Sequence, residues 1–136
     1  MTKRITQIFL GLMGLAFCKV GVEALLTPQA VMANVGIVLD NSSALSSIRA
    51  VYGGMHFVFG AFCIWGIFKG SKGPLLLVTL YTAGFVFGRL AGIVIDGAPN
   101  TFVITWLLTE FISLAIAASL LTFSKDEVYQ SIPVTK

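Results

Sequence analysis

Four apolar runs constrain this chain more than any other feature, each near the ~20 residues that cross a ~30 Å hydrocarbon core. They fall at residues 5–26, 48–68, 74–95 and 101–123. In lipid every backbone amide must find its partner within the protein, so spanning segments are helices or closed barrels. A lone chain of 136 residues with continuous rather than alternating apolar runs is not a barrel. The expected fold is therefore all-α: an integral membrane four-helix bundle, one domain over residues 1–136, with one long outer loop between helices 1 and 2.

Composition agrees, with 57% hydrophobic and only 11% charged residues and a mean hydropathy of +0.93, far from a soluble domain. The net charge of +3 comes from residues near the segment ends. No basic patch with interleaved aromatics stands outside the apolar runs, which excludes a nucleic-acid partner. Lys3, Arg4, Lys69, Lys72, Lys125 and Lys136 share one side, whereas residues 27–47 and 96–100 contain no Lys or Arg. The positive-inside rule then places both termini in the cytoplasm, and the clean asymmetry argues against dual topology. The first run is read as an uncleaved span, because it continues past Lys19 and Glu23 to Leu26 without a small-x-small cleavage site.

Polar residues interrupt the runs at consistent places. The second run opens on Arg49-Ala50-Val51-Tyr52-Gly53-Gly54-Met55-His56. Arg49, Tyr52, His56, Gly60 and Cys63 recur at helical spacing, a face that normally points into a bundle. Lys19 and Glu23 are four apart in the first run and can pair. Beside them Gly11, Gly14, Cys18 and Gly21 make a stripe where another helix can approach closely. The third run aligns Tyr81, Phe85, Gly88, Arg89, Gly92 and Asp96, and the fourth aligns Trp106, Glu110, Ser113 and Ala117. At ~1.5 Å per residue from the outer ends, Glu23 and Arg49 lie in the first turn, whereas Lys19, His56, Arg89 and Glu110 lie about 10–13 Å deep. The inner halves of all four runs carry no charge. The expectation is a polar cluster in the outer leaflet, reached through or beneath the 27–47 loop. That loop begins with Pro28 and a short stretch of helical character, and serves as a lid or as an ordered spacer.

Candidate ligand-binding residues are thus Lys19, Glu23, Arg49, Tyr52, His56, Arg89, Asp96 and Glu110. Charges in hydrocarbon must pair, and Arg89 with Glu110 is the first pair expected. The alternative is that these pairs only fix helix packing, with Arg49 and Asp96 snorkelling to water. No catalytic constellation is present: one histidine and two cysteines in different runs cannot make a standard zinc site. There is no phosphate loop, no serine elbow and no pair of histidines for haem. No catalytic residue, metal or cofactor is assigned, and Cys18 and Cys63 are read as small packing residues.

The pattern Arg-Ala-x-Tyr-Gly-Gly-x-His at residues 49–56, Gly88-Arg89 followed by Asp96-Gly97, and the lone glutamate Glu110 resemble a family of small four-span bacterial membrane proteins. That family is catalogued only as a domain of unknown function. The resemblance implies the four-span fold and a bacterial inner membrane, and supplies no activity. A fainter likeness links the chain to DoxX-like proteins and to glutathione-using membrane enzymes, whose longer Arg/Asn/Glu pattern is not matched here.

Three functions follow as expectations. In the first, Arg49 and Arg89 meet an anionic or carbonyl group of a small amphiphile or lipid, oriented by Tyr52 and His56. In the second, His56 and Glu110 titrate in a proton-coupled transporter, with the chain assembling as a homo-oligomer. In the third, the chain is an accessory or scaffold subunit. An enzyme is the less favoured reading, kept open by the glutathione-using likeness. Membrane lipids are the partners common to all of them.

Overall fold

The computed structural model describes residues 2–124, and its helices are α1 (Thr2–Leu26), α2 (Pro28–Ala33), α3 (Ser42–Ile48), α4 (Met55–Lys69), α5 (Lys72–Asp96) and α6 (Thr101–Phe123). A π-helical segment, Arg49–Gly54, joins α3 to α4 without a break. Among the described residues four helices are long and apolar enough to cross a membrane: Lys3–Leu26, Ser42–Lys69, Lys72–Asp96 and Thr101–Phe123. Lys125 and Lys136 lie outside the described residues.

Each helix end has a local cause. Pro28 cannot continue α1 but suits the first position of α2. α2 closes on Gly36, whose φ of +76° is the left-handed turn that glycine tolerates. There Ile37 N–H donates to the Met32 carbonyl and Gly36 N–H to the Ala33 carbonyl, a Schellman closure. Asn41 caps α3 by accepting the Ala44 N–H at 2.8 Å, and Asn100 caps α6 by accepting the Val103 N–H at 3.0 Å. The Asn41 cap makes residues 42–47 helical, so the second spanning helix begins well before position 48 and shortens the irregular part of the loop. Pro74 sits inside the first turn of α5, where its missing N–H costs nothing, and Leu75 makes the first intrahelical bond to the Ser71 carbonyl.

The four long helices pack as two antiparallel pairs, α1 against α4 with the π segment, and α5 against α6. The first pair is built on small residues. A Cβ on Gly60 would stand 2.7 Å from the Gly14 carbonyl and 2.8 Å from the Cys18 nitrogen. One on Gly21 would stand 2.7 Å from the Phe57 nitrogen and 2.9 Å from the Gly53 carbonyl. Gly14, Cys18 and Gly21 are therefore the residues that let the two backbones touch. In lipid such close packing, rather than expulsion of water, drives helix association. Cys18 and Cys63 are both free thiols. Gly84, Gly88 and Gly92 on α5 differ, since a Cβ there would meet nothing within 4 Å.

The pairs join at the end that carries Lys69, Lys72, Lys3 and Arg4, called here the basic end. Leu10, Cys63, Leu75, Val78 and Ala117, all fully buried, form its core with Phe17 and Leu120. Gln7 ties α1 to α4 there by donating to the Ile67 carbonyl at 3.0 Å. Large apolar side chains cover the outside, with Ile8, Leu15, Leu80, Phe87 and Val94 among the most exposed. An apolar exterior of that extent is matched by lipid, not by water.

Candidate functional site

Toward the opposite end, which α2 covers, the two helix pairs enclose a cavity of about 420 Å³. Met13, Phe17, Val20, Phe85, Phe102 and Trp106 form much of its wall, and Val31, Met32, Asn34 and Val35 roof it. Met32 is buried beneath α2. The roof is tethered twice: Asn100 Nδ2 donates to the Asn34 carbonyl at 3.0 Å, and the Gln29 side chain holds Ile37 and Leu39 of the following turn.

The polar centre of the cavity depends on the π segment. Within it Met55 N–H bonds the carbonyl of Ala50, five residues back, in place of the four of an α-helix. One carbonyl is passed over where the α pattern resumes, and the Val51 carbonyl lies 3.3 Å from His56 Nδ1. A carbonyl only accepts, so Nδ1 carries the hydrogen and Nε2 of the neutral ring is an acceptor. Tyr81 then donates its hydroxyl hydrogen to Nε2 across 2.8 Å. Tyr52 stacks on the imidazole at 5.7 Å between centroids, with 14° between the planes. Phe17 and Tyr81 meet it edge-on.

The second polar group is an ion pair between α5 and α6. Arg89 Nε and Nη2 donate to the two Glu110 oxygens at 2.7 and 2.9 Å, with side-chain exposures of 21% and 11%. This fork-to-fork geometry satisfies both charges at once. Phe85 supports it, its ring centroid 5.7 Å from the Arg89 guanidinium carbon. At the rim Lys19 Nζ donates to Glu23 at 2.6 Å, the i,i+4 pair expected on α1. Thr82, Thr109 and Ser113 add hydroxyls to the wall.

Of the eight candidate residues, Lys19, Glu23, Tyr52, His56, Arg89 and Glu110 line this one cavity. Arg49 and Asp96 are not among its lining residues. Arg49 Nε instead donates to the Leu25 carbonyl at 3.0 Å, serving one of the unpaired carbonyls at the end of α1, where a cation also suits the helix dipole. Asp96 is the exposed last residue of α5. Tyr81, absent from the candidate set, is central to the cluster. Its sequence signal was its place on the Arg89 face of α5, two helical turns away. The α2 roof falls where the short helical stretch after Pro28 was expected to cap the cluster, but nothing in the loop marked Val31, Met32, Asn34 and Val35 as the residues that line it.

The two ion pairs cancel, and the Nδ1–H tautomer of His56 that fits the Val51 carbonyl adds no charge of its own. Such a site offers hydrogen-bonding groups and aromatic faces without net charge. Among the described residues no three His, Cys, Asp or Glu side chains gather where a metal ion could be held.

Four membrane-length helices and an apolar exterior define a small multi-pass membrane protein. Residues 5–121 match the model of a family described as a domain of unknown function, DUF4345, and the chain belongs to that family. No curated protein and no solved structure matches the chain.

Proposed function

We propose that the cavity binds one small amphiphile or lipid-like molecule. A single observation carries this reading: a volume of about 420 Å³, within the ~300–1,000 Å³ typical of ligand pockets, with apolar walls converging on His56–Tyr81 and Arg89–Glu110. Because Arg89 is committed to Glu110 and Arg49 to the α1 terminus, the head group is uncharged or zwitterionic, a carbonyl or hydroxyl group rather than a bare anion. Tyr52, Tyr81 and Trp106 would orient it, and Phe17, Phe85 and Met32 would hold its apolar part. The distribution of Lys and Arg supports cytoplasmic termini and the family resemblance supports a bacterial inner membrane, so that the cavity lies in the outer leaflet beneath α2. A proton-coupled route is less well supported, because it would have to cross the packed core of Leu10, Leu75, Val78 and Ala117.

The test is native mass spectrometry of protein released from mild detergent, beside Ser113→Phe, which fills the cavity, and Arg49→Ala, which lies outside it. A discrete adduct is expected on the native chain and on Arg49→Ala, and is expected to be absent from a Ser113→Phe variant that keeps its helical signal. A native chain without any adduct, together with Arg89 and Glu110 variants that only lose stability, would favour the scaffold reading instead.

A further inference from the structure

We infer that the cavity opens sideways into the lipid between the π segment and α5, and that a long hydrocarbon chain of the bound amphiphile lies in this gap over Gly84 and Gly88. This rests on the binding reading above and narrows the ligand to a membrane-resident, long-chain molecule.

The first observation is continuity. A groove on the surface between the second spanning helix and α5 is lined by Tyr52, Leu80, Tyr81, Gly84, Phe85, Gly88 and Arg89. Tyr52, Tyr81, Phe85 and Arg89 also line the interior cavity. The same four side chains therefore face the polar centre on one side and the membrane on the other.

The second observation is what forms the floor of the groove. Gly84 and Gly88 are one turn apart, and a Cβ on either would meet nothing within 4 Å. Among the described residues they serve no helix contact, unlike Gly14, Gly21 and Gly60. Their effect is to leave a slot along α5 where its neighbours Leu80 and Phe87 present large side chains.

The third is depth. Counted back from Asp96, the last residue of α5, the glycines lie roughly 12–18 Å down the helix at 1.5 Å per residue. That is hydrocarbon depth, where an acyl or prenyl chain is the ordinary occupant and a polar segment would be costly. At the outer end α2 roofs the cavity, with Met32 buried and Asn34 bonded to Asn100. A chain too long for the cavity has the lateral gap as its path.

Two neutral probes sharing a glycerol head test this in lipid nanodiscs. One is a stearoyl glycerol with a mid-chain diazirine, and the other is octanoyl glycerol as competitor. On photolysis, labelling of residues 80–88 that octanoyl glycerol abolishes is the expected result. Competed labelling confined to α2 and α6 would overturn the lateral path while leaving the cavity as a binding site. Labelling at 80–88 that resists competition would also overturn it, because bulk lipid or a second copy of the chain then covers the slot. Loss of octanoyl glycerol from the native protein in mass spectrometry would remove the binding reading itself. A Gly84→Phe, Gly88→Phe variant is expected to keep octanoyl glycerol and lose the stearoyl probe; retention of both sinks the inference.

Discussion

The Tyr81 hydroxyl stands 2.8 Å from His56 Nε2, joining α5 to the helix that carries the Arg49–His56 motif. It is a polar contact between the two helix pairs, at the edge of their apolar core. Tyr81→Phe keeps the ring contacts with Phe17 and Phe59 and removes only the donor. A loss of about 1 kcal/mol is expected, read by denaturant unfolding in detergent. His56→Phe, which removes the acceptor and the Val51 contact together, is expected to cost at least as much. Two variants as stable as the native chain would show that this bond holds nothing.

The Arg89–Glu110 pair calls for a double-mutant cycle. Either single truncation to alanine leaves a partly buried charge without a partner and should cost roughly 3 kcal/mol. The double variant Arg89→Leu, Glu110→Leu should be more stable than either single one, because it leaves no orphan charge. Simple additivity of the two losses in unfolding experiments would count against the pair as a unit.

Glycines on the two sides of the fold should respond oppositely. Gly60→Ala drives a methyl against the α1 backbone at Gly14 and Cys18 and is expected to cost about 1–3 kcal/mol through overpacking. Gly88→Ala meets nothing within 4 Å and should be neutral or slightly stabilising, since alanine favours the helix. Equal melting temperatures for the two variants would contradict the packing described for α1 and α4.

The π segment makes a deletion more harmful than a substitution at the same place. Gly54→Ala should be tolerated, because the added methyl would lie 3.9 Å from the Arg49 carbonyl, an ordinary contact. Deleting Gly54 removes the extra residue of the wide turn and rotates Arg49, Tyr52 and Gly53 relative to α4. The variant should lose the Arg49–Leu25 and Val51–His56 contacts, with faster amide exchange over residues 42–56. Native-like exchange in the deletion would mean that the π register is not needed.

Much of the architecture was legible in the residues themselves. Apolar runs of spanning length dictated four helices, because a backbone in hydrocarbon must bond to itself. The spacing of Lys19 to Glu23 dictated their pairing, and counting along the helices put Arg89 and Glu110 at one height. The stripe of Gly14, Cys18 and Gly21 announced a close neighbour. Height along the membrane normal is a local quantity, set by rise per residue, and so it can be read from one chain.

Direction around the helix axis is not local, and that is what the tertiary structure decided. A regular helix through residues 48–68 gives Arg49 and His56 the same face, whereas the π turn between them sends Arg49 to the end of α1 and His56 to the cavity. That turn stands where Gly53 packs against Leu25 of α1, a contact that no periodicity in the second run encodes. Tyr81 likewise became a partner of His56 only when α5 met the first helix pair. The α2 roof was decided by Asn100, sixty-six residues along the chain from Asn34. Single-helix periodicity carries the heights of the charges; the packing of one helix on another carries their directions, and the cavity exists because of the directions.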